Sequence, residues 1–423
     1  MAVETRVAAG KAKQFWDDFA ANGWEKKPML LRDPAVRLDI PPDELFRGIL
    51  LAAQTVDKPE GEGPRLRFYI DRRMVAADLA EVLPREADGS VAGYVQRIEA
   101  ELSPHEWMLF IDQIHTVSFE IWSAARDFIR GFVEVSHLLP AGPSDVDVFL
   151  GHYGSTPGGI HADPCGNFMF TVYGTKGMRL WPPEAGSHLP QKTRKYESVR
   201  EQGELFTGDQ STVVYFPGRH YHVGESAESA SVSVNVALFL EDDPIGKAFR
   251  ELRRRTQRKV SIPRRTTYDI SSDGTNMPEG YEQAVEAMTQ AMGDGSGIVK
   301  ALHAAWLRRI TSYGFESLPP VATVKPVADA SRVSLSDTRY PVLYRTIGDE
   351  LVVCANGRSA SIKPMAGVEQ GLELLNRGRE VAVNDLYRFN LSGNAEIDFQ
   401  DLIKALVWRL YSWRAVKVME VQT

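Results

Sequence analysis

Residues 158–183 read GGIHADPCGNFMFTVYGTKGMRLWPP, and the character of the chain turns on how this stretch is understood. It alternates apolar and small residues in the manner of a strand running to a proline pair, yet it carries His161, Asp163 and Lys176. Residues two apart point to the same side of a strand, so His161 and Asp163 share a face. Continued alternation through FTVYGTK would set Phe168, Phe170, Val172 and Gly174 on the side of Lys176. A strand interior excludes charged groups unless something pairs with them.

Working outward, a partner for the H-x-D pair has to come from another strand, and HYHVGES offers His220 and His222. Two histidines and one carboxylate on one triangular face leave adjacent coordination positions open, the arrangement used by non-haem iron(II) oxygenases. An H-x-D alone is a weak signal, because a strand histidine is more often a hydrogen-bonded core or surface residue. Lys176 adds a second one: a buried ammonium needs an anion, no acidic residue is close in sequence, and an anionic ligand is the economical partner.

The surroundings are those of a globular protein. The chain has 423 residues, enough for two or three domains, with 43% hydrophobic and 25% charged residues and a net charge of −7. That acidity argues against a free-standing, charge-driven nucleic-acid binder. No apolar run is long enough to span a bilayer and the N-terminus lacks a signal-peptide core, so a cytoplasmic location is expected. Two cysteines, Cys165 and Cys354, argue against a disulfide framework or a four-cysteine zinc site.

Helical patterns with aromatic stripes are expected around Phe15, Trp16 and Phe19, over 42–55, and over 114–138 through Phe119, Trp122 and Phe128. A short strand is expected at 28–31. From Asp145 the texture becomes β-rich: VDVFLGHYG, GNFMFTVYG, MRLWPP, STVVYFPG and SVSVNVALFL, punctuated by Gly and Pro, the pattern of an antiparallel barrel or sandwich. After Asp243 it turns helical, with YEQAVEAMTQAM among the segments. SLPPVATVKPVADASR then reads as a linker to a small mixed α/β unit from about Leu335.

HADPCGNFMFTVYGTKGMRLWPP resembles the iron-binding strand pair of the jumonji C oxygenases, especially their asparaginyl-hydroxylase branch. In that family an H-x-D supplies two iron ligands, and a lysine thirteen residues past the aspartate binds the distal carboxylate of 2-oxoglutarate; Asp163 and Lys176 stand at this spacing. Asn167, Phe168, Gly174 and Pro182-Pro183 match flanking positions. The family's remaining ligand lies five residues after a strand-end proline, which selects His222 over His220 in STVVYFPGRHYHVGES. Asn235 of SVSVNVALF matches an asparagine near the iron and co-substrate, and Thr156 of Thr156-Pro157 matches a co-substrate contact, although it stands two residues further from the histidine. Tyr153, Tyr173 and Tyr215 are open candidates for an assisting hydroxyl.

GWEKKPMLLRD is similar to the opening W-x-K-[KR]-P turn of the ribosomal-oxygenase branch. That branch implies a jumonji C catalytic domain over 1–243, a helical dimerisation region over 244–320 and a winged-helix-like unit over 335–423. The fold implied is a mainly β double-stranded β-helix, the cupin or jelly-roll core, with flanking α-helices. The activity implied is an iron(II)- and 2-oxoglutarate-dependent dioxygenase that consumes O2 and hydroxylates a side chain in a protein or peptide, a ribosomal protein being the branch's substrate. A homodimer is expected; direct DNA binding and membrane attachment are not. Tailoring of a peptide natural product or other small molecule, and a non-catalytic metal-binding cupin, are the alternatives.

Other features take plainer readings. The basic run over 249–265 is a solvated helix face more often than a docking site, and Cys165 a small core or loop residue more often than a ligand. Arg219 and His220 either line the pocket mouth or are solvated. In the last helix, Leu402, Ala405, Leu406, Leu410 and Trp413 fall at helical spacing as core, not as a DNA-reading face.

Overall fold

The computed structural model describes residues 2–32, 37–56, 63–75, 79–190, 196–259, 286, 288–290, 292–293, 296–321, 326–390 and 396–419. The chain divides into two units, Met1–Glu241 with Tyr313–Pro319, and Asp242–Ser312 with Pro320–Thr423. No helix among the described residues is long and apolar enough to cross a membrane.

The first unit is mostly antiparallel sheet. Its strands are β1 (Met29–Arg32), β2 (Arg65–Ile70), β3 (Arg73–Met74), β4 (Trp107–Asp112), β5 (Ser144–Tyr153), β6 (His161–Ala162), β7 (Cys165–Tyr173), β8 (Lys176–Trp181), β9 (Glu204–Gly208), β10 (Thr212–Phe216) and β11 (Tyr221–Phe239). The larger layer runs β1-β10-β7-β11-β5-β4-β2-β3, while β6, β8 and β9 build a smaller layer on the other half of β11. β11 therefore belongs to both layers: Tyr221–Glu225 pair with β8, and Ser231–Leu238 pair with β5. Its register breaks between Ser226 and Ser231, and the break changes which parity faces inward. His222 and Gly224 line the cavity from the first half, Asn235 and Ala237 from the second.

Helices α1 (Ala2–Asn22), α2 (Pro42–Ala53), α3 (Leu79–Val82), α4 (Val91–Leu102) and α5 (Phe119–Ser136) complete this unit. α5 shows why a segment becomes a helix where it does. The Ser118 hydroxyl caps it by accepting from Ile121 N–H, its apolar positions recur every three or four residues, and His137 stops it in the left-handed conformation with φ 58°. The helix expected from residue 114 thus begins at Phe119, because Ser118 takes the cap and Ile114–Thr116 closes into a separate 3-10 turn. Trp16, Phe19 and Phe128 from α1 and α5 meet Phe168, Phe170 and Tyr215 edge-on, with Phe128 5.1 Å from Phe168 and Phe19 4.7 Å from Tyr215, and Phe132 packs behind them on Trp16 and Phe19. At about 1.5–3 kcal/mol per fully buried aromatic, this layer is a principal stabiliser of the larger sheet.

The expected alternation across β7 and Lys176 is corrected here. Gly174, at φ 65°, turns the chain between two strands, so β8 restarts the pattern in the smaller layer. Phe168 and Phe170 face the helices, Val172 is exposed, and Lys176 faces the cavity with Met178. Between the layers, Met169, Met178, Leu180, Val214 and Phe216 form a buried apolar floor.

The second unit holds α6 (Pro244–Lys259), the helix Ser296–Ser312, two three-stranded antiparallel sheets, and helices Val368–Asn376 and Glu396–Ser412. Most of the expected helix at 281–292, the end of the basic run at 260–265, and linker residues 322–325 lie outside the described residues. In the last helix Leu406 and Leu410 are core, but Ala405 is exposed: the buried face runs through Phe399, Ile403, Leu406, Val407 and Leu410, and Ala405 lies off it.

Candidate metal centre and its cavity

Strand register brings the two histidines together. β6 is only two residues long, and it pairs His161 directly with His222 on β11, so the rings project side by side with centroids 4.4 Å apart. Asp163 follows at the end of β6, and its carbonyl accepts from Arg219 N–H at 2.8 Å. Its Oδ2 lies 3.6 Å from His161 Nε2 and 3.5 Å from His222 Nε2. One donor atom from each residue lies within 4.8 Å of the others, a spacing that could hold a single ion.

The imidazoles are oriented by their far nitrogens. His161 Nδ1 bonds the Gly159 carbonyl at 2.9 Å and His222 Nδ1 the His220 carbonyl at 3.1 Å, each two residues upstream. With Nδ1–H donating, Nε2 keeps a lone pair aimed at the shared point, as in metal-ligating histidines generally. Burial, helped by the neighbouring charge of His161, lowers the His222 pKa to about 4. Burial pushes the Asp163 carboxyl up, but the His161 hydrogen bond and the His222 charge outweigh it and hold the group below its ordinary value. Neutral imidazoles and an ionised carboxylate are the states a divalent cation requires.

These groups open on a cavity of about 300 Å³ that Lys176, Thr156 and Asn235 also line. Lys176 is only 1% exposed. Its Nζ donates to Ser233 Oγ at 2.9 Å and sits 4.5 Å from the Phe149 ring centroid. Burial lowers its pKa to about 7, with no carboxylate opposing the shift. Ser233 Oγ donates in turn to Asn235 Oδ1 at 2.9 Å, and Asn235 Nδ2 donates to Asn167 Oδ1 at 3.2 Å, so a polar chain runs from the lysine along the cavity wall.

Thr156 reaches this wall despite its longer connection to His161. Gly159, at φ 68°, folds the extra residues into a turn closed by Gly159 N–H on the Thr156 carbonyl, while Thr156 N–H is held by the Gly224 carbonyl at 2.9 Å. Gly224 eases this approach: a Cβ there would lie 3.1 Å from Thr156 Cγ2, a tight contact. Of the three tyrosines, Tyr215 is bonded to Glu25 on the helix side of the sheet. Neither Tyr173 nor Tyr153 is among the residues that line the cavity. Tyr153 has its ring 5.8 Å from Lys176 Nζ, and its buried hydroxyl has no hydrogen-bond partner among the described residues. Cys165 lines the cavity as a buried free thiol; burial, then the Asp163 charge, raises its pKa and keeps it protonated. Arg219 turns away, 3.3 Å from Glu241, and neither it nor His220 lines the cavity.

Sequence reasoning missed Ser233, and it missed Asp147, which lines the cavity beside its cross-strand partner Asn235, together with Arg67 and Tyr69. Burial and the nearby charge of Asp112 push the Asp147 carboxyl well up, so it tends to keep its proton. A signal was present in the alternating SDVDVFLG, where an acid in a strand poses the same question as H-x-D.

No known family's sequence profile matches this chain, and no curated protein matches it. Over nearly its whole length the chain is similar to the Escherichia coli protein YcfD. One YcfD crystal structure is 16% identical, covers 96% of this chain and 98% of its own, and has a TM-score of 0.49. A structure of YcfD as a ribosomal oxygenase in complex with cobalt and 2-oxoglutarate is 14% identical over the same shares, with a TM-score of 0.47. Another, with cobalt and succinic acid, is 15% identical over those shares at 0.47.

Proposed function

We propose that this chain is an iron(II)- and 2-oxoglutarate-dependent dioxygenase that hydroxylates a side chain in a protein or peptide. One observation carries the reading: an uncompensated buried ammonium, Lys176, lines the same cavity as a closely spaced His161–Asp163–His222 set. A catalytically idle cavity has no reason to retain that cation, because an unpaired buried charge is costly.

The residues fit the groups they would hold. Two neutral imidazoles and an ionised carboxylate suit iron(II), and they leave positions for a co-substrate. When bound, iron and 2-oxoglutarate supply the oxidising power, with oxidative decarboxylation to succinate accompanying hydroxylation. Lys176 would hold the distal carboxylate. Ser233 orients Lys176, Asn235 fixes Ser233, and Thr156 would close the co-substrate end beside Gly224. Tyr153, whose ring lies 5.8 Å from Lys176 Nζ, would be the assisting tyrosine through its buried hydroxyl. The floor of Met169, Met178 and Phe216 excludes water from below.

In the same reading, the two joined antiparallel layers are a double-stranded β-helix of the cupin kind. Residues 244–320 are a dimerisation region and 335–423 a winged-helix-like unit that packs or presents substrate and does not read DNA. The chain works in the cytoplasm, and the GWEKKP turn favours a ribosomal protein as substrate.

The test is to incubate the purified protein with iron(II), ascorbate and 2-oxoglutarate, follow succinate, and search ribosomal peptides for one added oxygen atom. Asp163→Ala is expected to abolish succinate formation while leaving the circular dichroism spectrum and melting transition in place. Full turnover in that variant would overturn the ligand set, and a wild type inert toward 2-oxoglutarate would favour the non-catalytic alternative.

A further inference from the structure

The GWEKKP turn contributes a carboxylate whose contacts lead toward the metal centre. Glu25, in the left-handed conformation at φ 51°, sends its side chain under the larger sheet to the turn between β10 and β11. There Oε2 accepts from Gly218 N–H at 3.0 Å, and Oε1 accepts from the Tyr215 hydroxyl at 2.9 Å. The Glu25 N–H returns a bond to the same hydroxyl at 2.9 Å. The sheet leaves room for this carboxylate at Gly166, where a Cβ would lie 2.5 Å from Glu25 Oε1.

What the carboxylate holds is the segment that sets two of the three candidate ligands. Directly after Gly218, Arg219 stands at φ 65° with its N–H on the Asp163 carbonyl at 2.8 Å. One residue on, the His220 carbonyl takes the Nδ1 hydrogen of His222. Losing the Gly218 contact would leave that N–H unpaired and free the turn to shift the Asp163 backbone and rotate the His222 ring together.

We propose that Glu25 is a positioning residue for the metal centre, clamping the β10–β11 turn so that Asp163 and His222 present their donor atoms to one point. This rests on the metal-site reading above. A glutamine keeps one acceptor for Gly218 and can donate to the Tyr215 oxygen, whereas alanine provides neither.

The experiment titrates wild type, Glu25→Ala, Glu25→Gln, Tyr215→Phe and Asp163→Ala with cobalt(II), reading the visible d–d absorption and, separately, the melting temperature. Residues that orient ligands typically contribute about 10- to 100-fold in metal affinity. Glu25→Ala is expected to weaken cobalt binding within that range and to shift the absorption bands, Glu25→Gln to restore most of both, and Tyr215→Phe to lose a few-fold. Wild-type affinity and bands in folded Glu25→Ala would overturn the proposal. If that variant does not fold, wild-type affinity and bands in folded Tyr215→Phe overturn it equally. Cobalt bound as tightly by Asp163→Ala as by wild type would instead defeat the metal-site reading, and the role of Glu25 with it.

Discussion

Strand β8 carries two buried cations three residues apart, and they live in opposite circumstances. Arg179, on the outer face, donates to Glu225 Oε1 at 2.6 Å and to the Gly203 carbonyl at 3.1 Å, and Glu225 is further bonded by Tyr196. Burial works against the Arg179 charge, but the Glu225 bond outweighs it and raises its pKa. Lys176, on the inner face, has a serine hydroxyl and aromatic rings, and its pKa falls to about 7. The same strand therefore neutralises one charge within the protein and leaves the other to be answered by a ligand. The first arrangement is structural, and the second invites an anion.

Breaking the outer pair gives the largest expected effect. Arg179→Ala strands Glu225 in the interior, a loss of about 3–5 kcal/mol for buried pairs, moderated here by Arg200 at 3.2 Å from Glu225. Urea denaturation would measure it; a change below about 1 kcal/mol, the value of a surface pair, would remove the contrast between the two faces.

Lys176→Met keeps the stem and deletes the charge, so the ligand-free protein at pH 6 is expected to be as stable as wild type or more so. Its 2-oxoglutarate binding should weaken by about 2–5 kcal/mol, the loss seen when one partner of a buried charge pair is removed. Calorimetry with 2-oxoglutarate reads both, and a destabilised variant with unchanged affinity would put Lys176 in the structural class with Arg179.

The next effect is in pH. With the folded pKa near 7 against an ordinary 10.5, the unfolded chain binds more protons in that window, so this group makes the ligand-free protein gain stability as pH rises from 7. An anion that needs the charged lysine behaves oppositely: binding takes up a proton, and affinity falls by up to about tenfold per pH unit above 7. Proton uptake on binding, absent in Lys176→Met, is the measurement; affinity flat to pH 9 would show that the charge is not used. Smallest is Ser233→Ala, expected to cost about 1 kcal/mol of co-substrate affinity through loss of a single oriented bond. An equal loss in the Lys176→Met background would show that the two side chains act separately.

How far these features were legible depends on whether their causes were local. His161 and Asp163 declare a shared side because a strand has a period of two, whereas the residues alone left His220 and His222 open and only the jumonji C resemblance implied His222. Lys176 was visible as an oddity, but its neighbours were misplaced, since the turn at Gly174 resets alternation in a way the flanking aromatics conceal. Ser233, the bond from Asn235 to Asn167 and the Arg179–Glu225 pair were not legible: these contacts join strands 46 to 68 residues apart, and the register that aligns them is settled by sheet assembly. The helices were readable from their apolar spacing, whereas the α5 boundary depended on which of several residues won the cap.

The parity change within β11 has an evolutionary and engineering consequence. Because the strand re-registers between Ser226 and Ser231, chain length in that joint is a gear: adding or removing one residue would rotate Val232, Val234 and Val236 into the cavity in place of Ser233 and Asn235, while His222 stayed put. A two-residue change restores the phase. Variation in this stretch is therefore expected to come in even steps, and a lineage that broke the rule would keep the His161–His222 pairing while losing Ser233 and Asn235 from the side of Lys176.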